Sequence, residues 1–153
     1  MTDPAIEAAR DLAEPSLDAL RRAIVDAPPE LLNWRPAGDD TNPLAVLAVH
    51  AVSATRFWLS LAIAATAPER DRPAEFRTMV SSAEELVSMI DPLIADCREL
   101  LAFDGPFDPA AQRVDPRDGR SYSAAWTLMH AVTHLHEHVA QAELTRQVAP
   151  GAV

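Results

Sequence analysis

The sequence contains no lysine: all 13 basic residues are arginine, set against 23 acidic ones, for a formal charge of −10. Binding to nucleic acid needs a cationic footprint for phosphate, and that is missing. The same balance argues against an anionic membrane surface. Cys97 is the only cysteine, so an internal disulfide and a CxxC metal or redox motif are both excluded. A lone thiol suits a reducing compartment, and the expected location is cytoplasmic. Glycine occurs four times. Alternating runs of Val, Ile, Thr and Tyr are nearly absent, and strand signals with them. Between Met1 and Asp11, acids and Pro4 stand where a signal peptide would need an apolar segment, so none is expected. No repeat, low-complexity tract or Gly/Ser linker divides the chain.

What is present is a chain of 153 residues, 48% of them hydrophobic. That suits one domain, over residues 1–150, with a buried core. Helical patterns dominate. The first runs from about Asp3 to Asp26, with Asp3 as cap, Pro4 at the first helical position, and Ile6, Leu12, Leu17, Leu20 and Ile24 as its apolar side. Pro15 is expected to kink or break it. Pro28-Pro29 ends it, and Glu30 to Trp34 reads as a short helical turn. A second helix starts at Thr41 or Asn42, either of which can cap, and runs to about Ala65. The run Pro43 to Ala67 is long enough to span a bilayer, but His50, Ser53, Thr55 and Arg56 sit at its middle, where lipid would penalise them. It reads as a buried core helix, followed by a charged loop from Pro68 to Pro73. Ser82-Ala83-Glu84-Glu85 reads as a capping box for a third helix to about Ala102, with Pro92 a kink. Phe103 to Arg120 reads as a long loop. The fourth helix opens at Ser121 or Ser123 and runs to about Gln147. Four long helices predict an all-α four-helix bundle.

All five histidines fall in the second and fourth helices. His130, His134 and His138 recur every four residues. A step of four drifts about 40° around a helix, so the three share a face, while His136 points about 200° from His134. Trp126, Glu137 and Gln141 fall on that same face. It is too polar for ordinary core. His50 sits on a core-directed side among Val46, Leu47, Ala54 and Phe57. A buried imidazole needs a partner, since an unpaired polar group costs about 1–3 kcal/mol. A hydrogen-bonded core histidine is the ordinary outcome. Two histidines four apart, joined by a third from a facing helix, would instead hold a divalent ion with an open position. One ion cannot take both His130 and His138, since eight helical residues span about 12 Å. Spacing leaves His130/His134 and His134/His138 both open, and either includes His134.

Two motifs resemble a known family. Leu32-Asn33-Trp34-Arg35-Pro36, followed by Asn42-Pro43-Leu44 and His50, is similar to the run that opens the second helix of DinB-like proteins. His130-Ala131-Val132-Thr133-His134-Leu135-His136-Glu137-His138-Val139-Ala140-Gln141 is similar to their closing pattern, H-x-x-x-H-x-x-x-H-x-G-Q. The resemblance implies a bundle with up-down-down-up connections. It also implies a divalent metal, zinc or nickel, held by His50, His134 and His138, with His130 beside them as a pocket residue. Two positions depart from the pattern. Ala140 replaces a glycine, and Thr55 replaces a glutamate that many members carry five residues after the first histidine. Glu137 is the nearest substitute for that acid by helical angle.

The superfamily includes transferases and isomerases that use mycothiol or bacillithiol. The function this implies is a metal-dependent enzyme, an S-transferase, isomerase or hydrolase, acting on a small-molecule substrate with a low-molecular-weight thiol. The competing reading is a non-catalytic metal- or small-ligand-binding protein of stress response. The resemblance also implies a homodimer. Cys97 reads as a small buried apolar residue.

Overall fold

The computed structural model describes residues 1–151. Four long helices make up most of them: α1 (Pro4–Val25), α3 (Leu44–Ala64), α5 (Ala83–Leu101) and α6 (Ala124–Val148). Between them lie two single-turn helices, α2 (Pro29–Leu32) and α4 (Arg72–Glu75), and two short strands, β1 (Gln112–Val114) and β2 (Ser121–Ser123). α3 packs along both α5 and α6, and α1 does the same, while α1 and α3 barely meet.

Three of the long helices start on a side chain that satisfies an orphan amide. The Asp3 carboxylate accepts from the Ala5 amide at 2.8 Å, Ser82 Oγ from Glu85 at 3.1 Å, and Ser123 Oγ from Trp126 at 3.1 Å. The expected capping box is displaced by one residue: the Glu85 carboxylate takes the amide and hydroxyl of Ser81, each at 2.7 Å. α3 has no side-chain cap, and Pro43 occupies the capping position. Thr41 is committed elsewhere. Its hydroxyl accepts from the Ala37 amide and donates to the Gly38 carbonyl, closing the 3-10 turn Gly38–Asp40.

Pro15 and Pro92 lie inside helices that continue through them, so neither breaks its helix. Both sit on exposed faces, four residues after exposed Asp11 and Ser88, and water can reach the carbonyls they strand. Leu12 is also outward, at 51% exposure. The buried stripe of α1 is Ile6, Ala9, Ala13, Leu17, Leu20 and Ile24, and the small alanines admit the neighbouring helices.

α3 is the centre of the core. Sixteen of its 21 residues are buried, which is what a helix apolar all round requires. It is long and apolar enough to cross a membrane, yet 78% of that stretch is buried against the rest of the fold. Each fully buried large side chain, such as Phe57, Leu59 or Leu61, contributes on the order of 1.5–3 kcal/mol. The segment expected to be a loop holds an antiparallel hairpin instead, with Gln112 opposite Ser123 and Val114 opposite Ser121. Arg113 Nε donates to the Ala62 carbonyl at 3.0 Å, which ties the hairpin to the end of α3 and sets where α6 begins.

Candidate metal centre

His50 projects from α3 and His134 and His138 from α6, and the packing of these helices brings the three imidazoles together. One ring nitrogen from each lies within 4.8 Å of the others. Ring centroids are 5.1 Å apart for His50 and His134, 4.7 Å for His50 and His138, and 4.4 Å for His134 and His138. His50 is buried, and the other two are half-buried. Nitrogens bound to one tetrahedral ion at about 2 Å stand about 3.3 Å apart. His134 Nε2 and His138 Nε2 are separated by 3.2 Å.

The outer nitrogens decide which atoms face the centre. His50 Nδ1 lies 2.9 Å from Glu75 Oε2, and His138 Nδ1 lies 2.8 Å from Gln141 Oε1. Arg70 Nη2 also lies 3.2 Å from His50 Nδ1, but it donates to Glu75 Oε2 at the shorter 2.7 Å, so the closer oxygen acceptors assign the ring proton to Nδ1 in each case. Nε2 of His50 and of His138 is thereby the unprotonated nitrogen, and that of His138 faces His134 Nε2. Among the described residues, His134 Nδ1 is the one buried side-chain polar atom without a partner. Three imidazole nitrogens this close fit a divalent cation, and the three residues could hold one.

Electrostatics keep His134 and His138 neutral. Burial, and then the neighbouring His138, His50, His130 and Arg70, push His134 down to about 3. His138 is also lowered, chiefly by burial. Burial alone would raise the Glu75 carboxyl, but hydrogen bonds from His50 and Arg70 outweigh it and hold the group below its ordinary value. Arg70 grips both carboxylate oxygens, Nε to Oε1 at 2.6 Å and Nη2 to Oε2 at 2.7 Å. The side chains of Arg70 and Glu75 are each 6% exposed. Neither was marked by the sequence pattern, because both lie in or beside the charged run that reads as a solvated loop. The signal available was indirect: a core-facing His50 demands a partner.

His130 stands outside the cluster, 5.7 Å from the His134 ring. It ends a row of stacked rings. Tyr122 lies on Trp126 at 4.2 Å, and Trp126 lies on His130 at 4.8 Å. Trp58 meets His130 edge-on at 4.6 Å. Arg117 supports that wall, its guanidinium 4.5 Å from Phe57 and 5.0 Å from Trp58. Buried Asp115 holds Arg117, and this pairing lowers the Asp115 carboxyl.

The other singled-out residues fall elsewhere. Thr55 donates to the Ala51 carbonyl of its own helix, and Arg56 pairs with Asp96. Glu137 is exposed. His136 Nε2 lies 3.1 Å from the Leu12 carbonyl oxygen. Cys97 is buried, with its thiol pushed up to about 12 by burial. Of cavities of about 830, 460 and 260 Å³, none is lined by His50, His134 or His138; Trp34 lines the first, Arg56 the other two, and Arg70 and Glu75 the third. No curated protein matches the chain. Residues 6–142, which include both helices of the centre, match the DinB superfamily, and the chain belongs to that family.

Proposed function

We propose that the protein is a divalent-metal enzyme that transfers a low-molecular-weight thiol to, or through, a small electrophilic substrate. The observation that carries this reading is the convergence of three imidazoles from two helices, with the tautomers of His50 and His138 set by outer partners. A bound ion of this kind supplies a Lewis-acidic position that lowers the pKa of a coordinated thiol or water. The chain's own residues then have defined tasks. His50, His134 and His138 would hold the ion, with zinc or nickel best suited to an all-imidazole set. Glu75 and Gln141 orient two of the rings. The Tyr122–Trp126–His130 row forms an apolar wall beside His134 that would shield a reactive thiolate from water.

The same reading takes the four long helices as one up-down-down-up bundle and a single domain over 1–150, active in the cytoplasm as a homodimer. Exposed Met129, Leu144 and Val148 on α6 support the dimer. Metal-loaded protein assayed with mycothiol, bacillithiol and glutathione against a panel of electrophiles tests the activity. Turnover that depends on both thiol and metal is expected. Inertness with every thiol across zinc, nickel, cobalt and manganese would reject it.

One observation favours a second reading, a metal or ligand binder without catalysis. The carboxylate buried beside the centre is held by both Arg70 and His50, so it is not free to move protons. Stoichiometric metal together with that inertness would establish this alternative.

A further inference from the structure

We propose that Glu75 is the positioning residue of the centre and makes His50 its strongest donor, an inference that rests on the metal-centre reading above. The three imidazoles differ in what stands behind them. His50 has a carboxylate at 2.9 Å, with Arg70 Nη2 farther off at 3.2 Å; His138 has the neutral amide of exposed Gln141, and His134 Nδ1 has no partner. An Nδ1 proton shared with an anion leaves more electron density on Nε2 than one shared with an amide. Donor strength therefore falls from His50 to His138 to His134.

The surrounding segment is built around that one contact. Burying two opposite charges at 6% exposure is costly, and packing alone would be served as well by an apolar pair. Arg70 fixes both carboxylate oxygens, so Glu75 cannot rotate away from His50. Asp71 Oδ1 caps α4 by accepting from the Ala74 amide at 2.9 Å. The Thr78 hydroxyl donates to the Glu75 carbonyl at 2.8 Å. Phe76 closes over the His50 ring at 4.6 Å, and Arg72 lies over Phe76 at 4.8 Å. Ring and carboxylate are thus locked from both sides, with His50 Nε2 left for the cluster.

Cobalt(II) is the probe, titrated into metal-free protein against a chromophoric chelator, with the visible d–d absorption recorded. Glu75→Gln should weaken Co(II) binding by about 10- to 100-fold, the usual cost of losing such a partner. Gln141→Leu should weaken it by a smaller factor. Gln141→Glu, which places a carboxylate behind His138, should bind more tightly than wild type and recover part of the loss when combined with Glu75→Gln. A merely structural Glu75 would not predict that gain. Binding by Glu75→Gln within twofold of wild type, or an equal loss in Gln141→Leu, overturns the proposal. If Glu75→Gln does not fold, Gln141→Glu decides alone, and the absence of tightening overturns it. Wild type that binds no Co(II) rejects the metal centre and this inference with it, whereas wild type that binds while Glu75→Gln matches it rejects this inference alone.

Discussion

Glu75 Oε2 lies 2.9 Å from His50 Nδ1, across 25 positions of sequence, and both side chains are buried. The contact constrains the path between them. From His50 to the end of α3 is about 21 Å of helix. Ala65 then takes a left-handed conformation, φ 56°, and turns the chain. The residues that follow must run back beside α3 to bring position 75 level with position 50. Extended chain covers about 3.3 Å per residue, so the return is short but sufficient. A charged connection between two core helices thereby becomes part of the site.

Arg70 should be worth far more than the other arginines. Replacing it with Met leaves the Glu75 carboxylate buried without its cation, and breaking a buried pair costs about 3–5 kcal/mol. Arg98 also makes two ion pairs, with Glu14 and Asp18, but all three side chains are well exposed. Arg98→Ala should cost under about 1 kcal/mol. Urea unfolding of both metal-free variants measures the contrast, and equal losses would refute it.

His134 is common to both spacings that a single ion can use, and its ring lies close to those of His50 and His138. Elemental analysis of purified wild type should find close to one divalent ion per chain, and of His134→Ala almost none. The variant should stay helical by circular dichroism, since α6 is held along its length by α1 and α3. Equal metal content in the two proteins would show that the ion binds elsewhere.

Much of this was legible in the sequence, and the rest has identifiable causes. Asp3, Ser82 and Ser123 announce three helix starts because capping is local chemistry. The shared face of His130, His134 and His138 follows from the helix period. Thr41 misled because its hydroxyl was already spent on a neighbouring turn. Pro15 does not break its helix because the cost of proline depends on whether its face meets water. The hairpin was hidden because strands of three residues are too short to show alternation. Arg70 and Glu75 were hidden for a different reason. Whether a charge run is buried depends on what lies across the fold, and His50 is a long way off in sequence.

Cys97 should be inert in the native state. Its thiol is buried and pushed up to about 12, so almost no thiolate exists near neutral pH. Ellman's reagent should label none of it in buffer and one thiol per chain in concentrated urea. Rapid labelling of folded protein would mean that the α3–α5 seam opens on the timescale of the assay.

Acid should weaken the metal-free fold through its buried imidazoles. His134 is held at about 3 in the folded state against an ordinary 6.5. Between those values the unfolded chain takes up a proton that the folded chain refuses, so stability rises with pH. The contribution is complete above about 6.5 and is lost progressively as pH falls toward 3. His130 and His138 are lowered as well and add with the same sign. Glu75, held below its ordinary value, adds a further loss only at lower pH, as its carboxylate protonates. The urea midpoint should therefore fall between about pH 7.5 and pH 5, and His134→Gln should flatten that slope. A wild-type midpoint that does not move over this range would mean that the imidazole is hydrated and free to protonate within the fold.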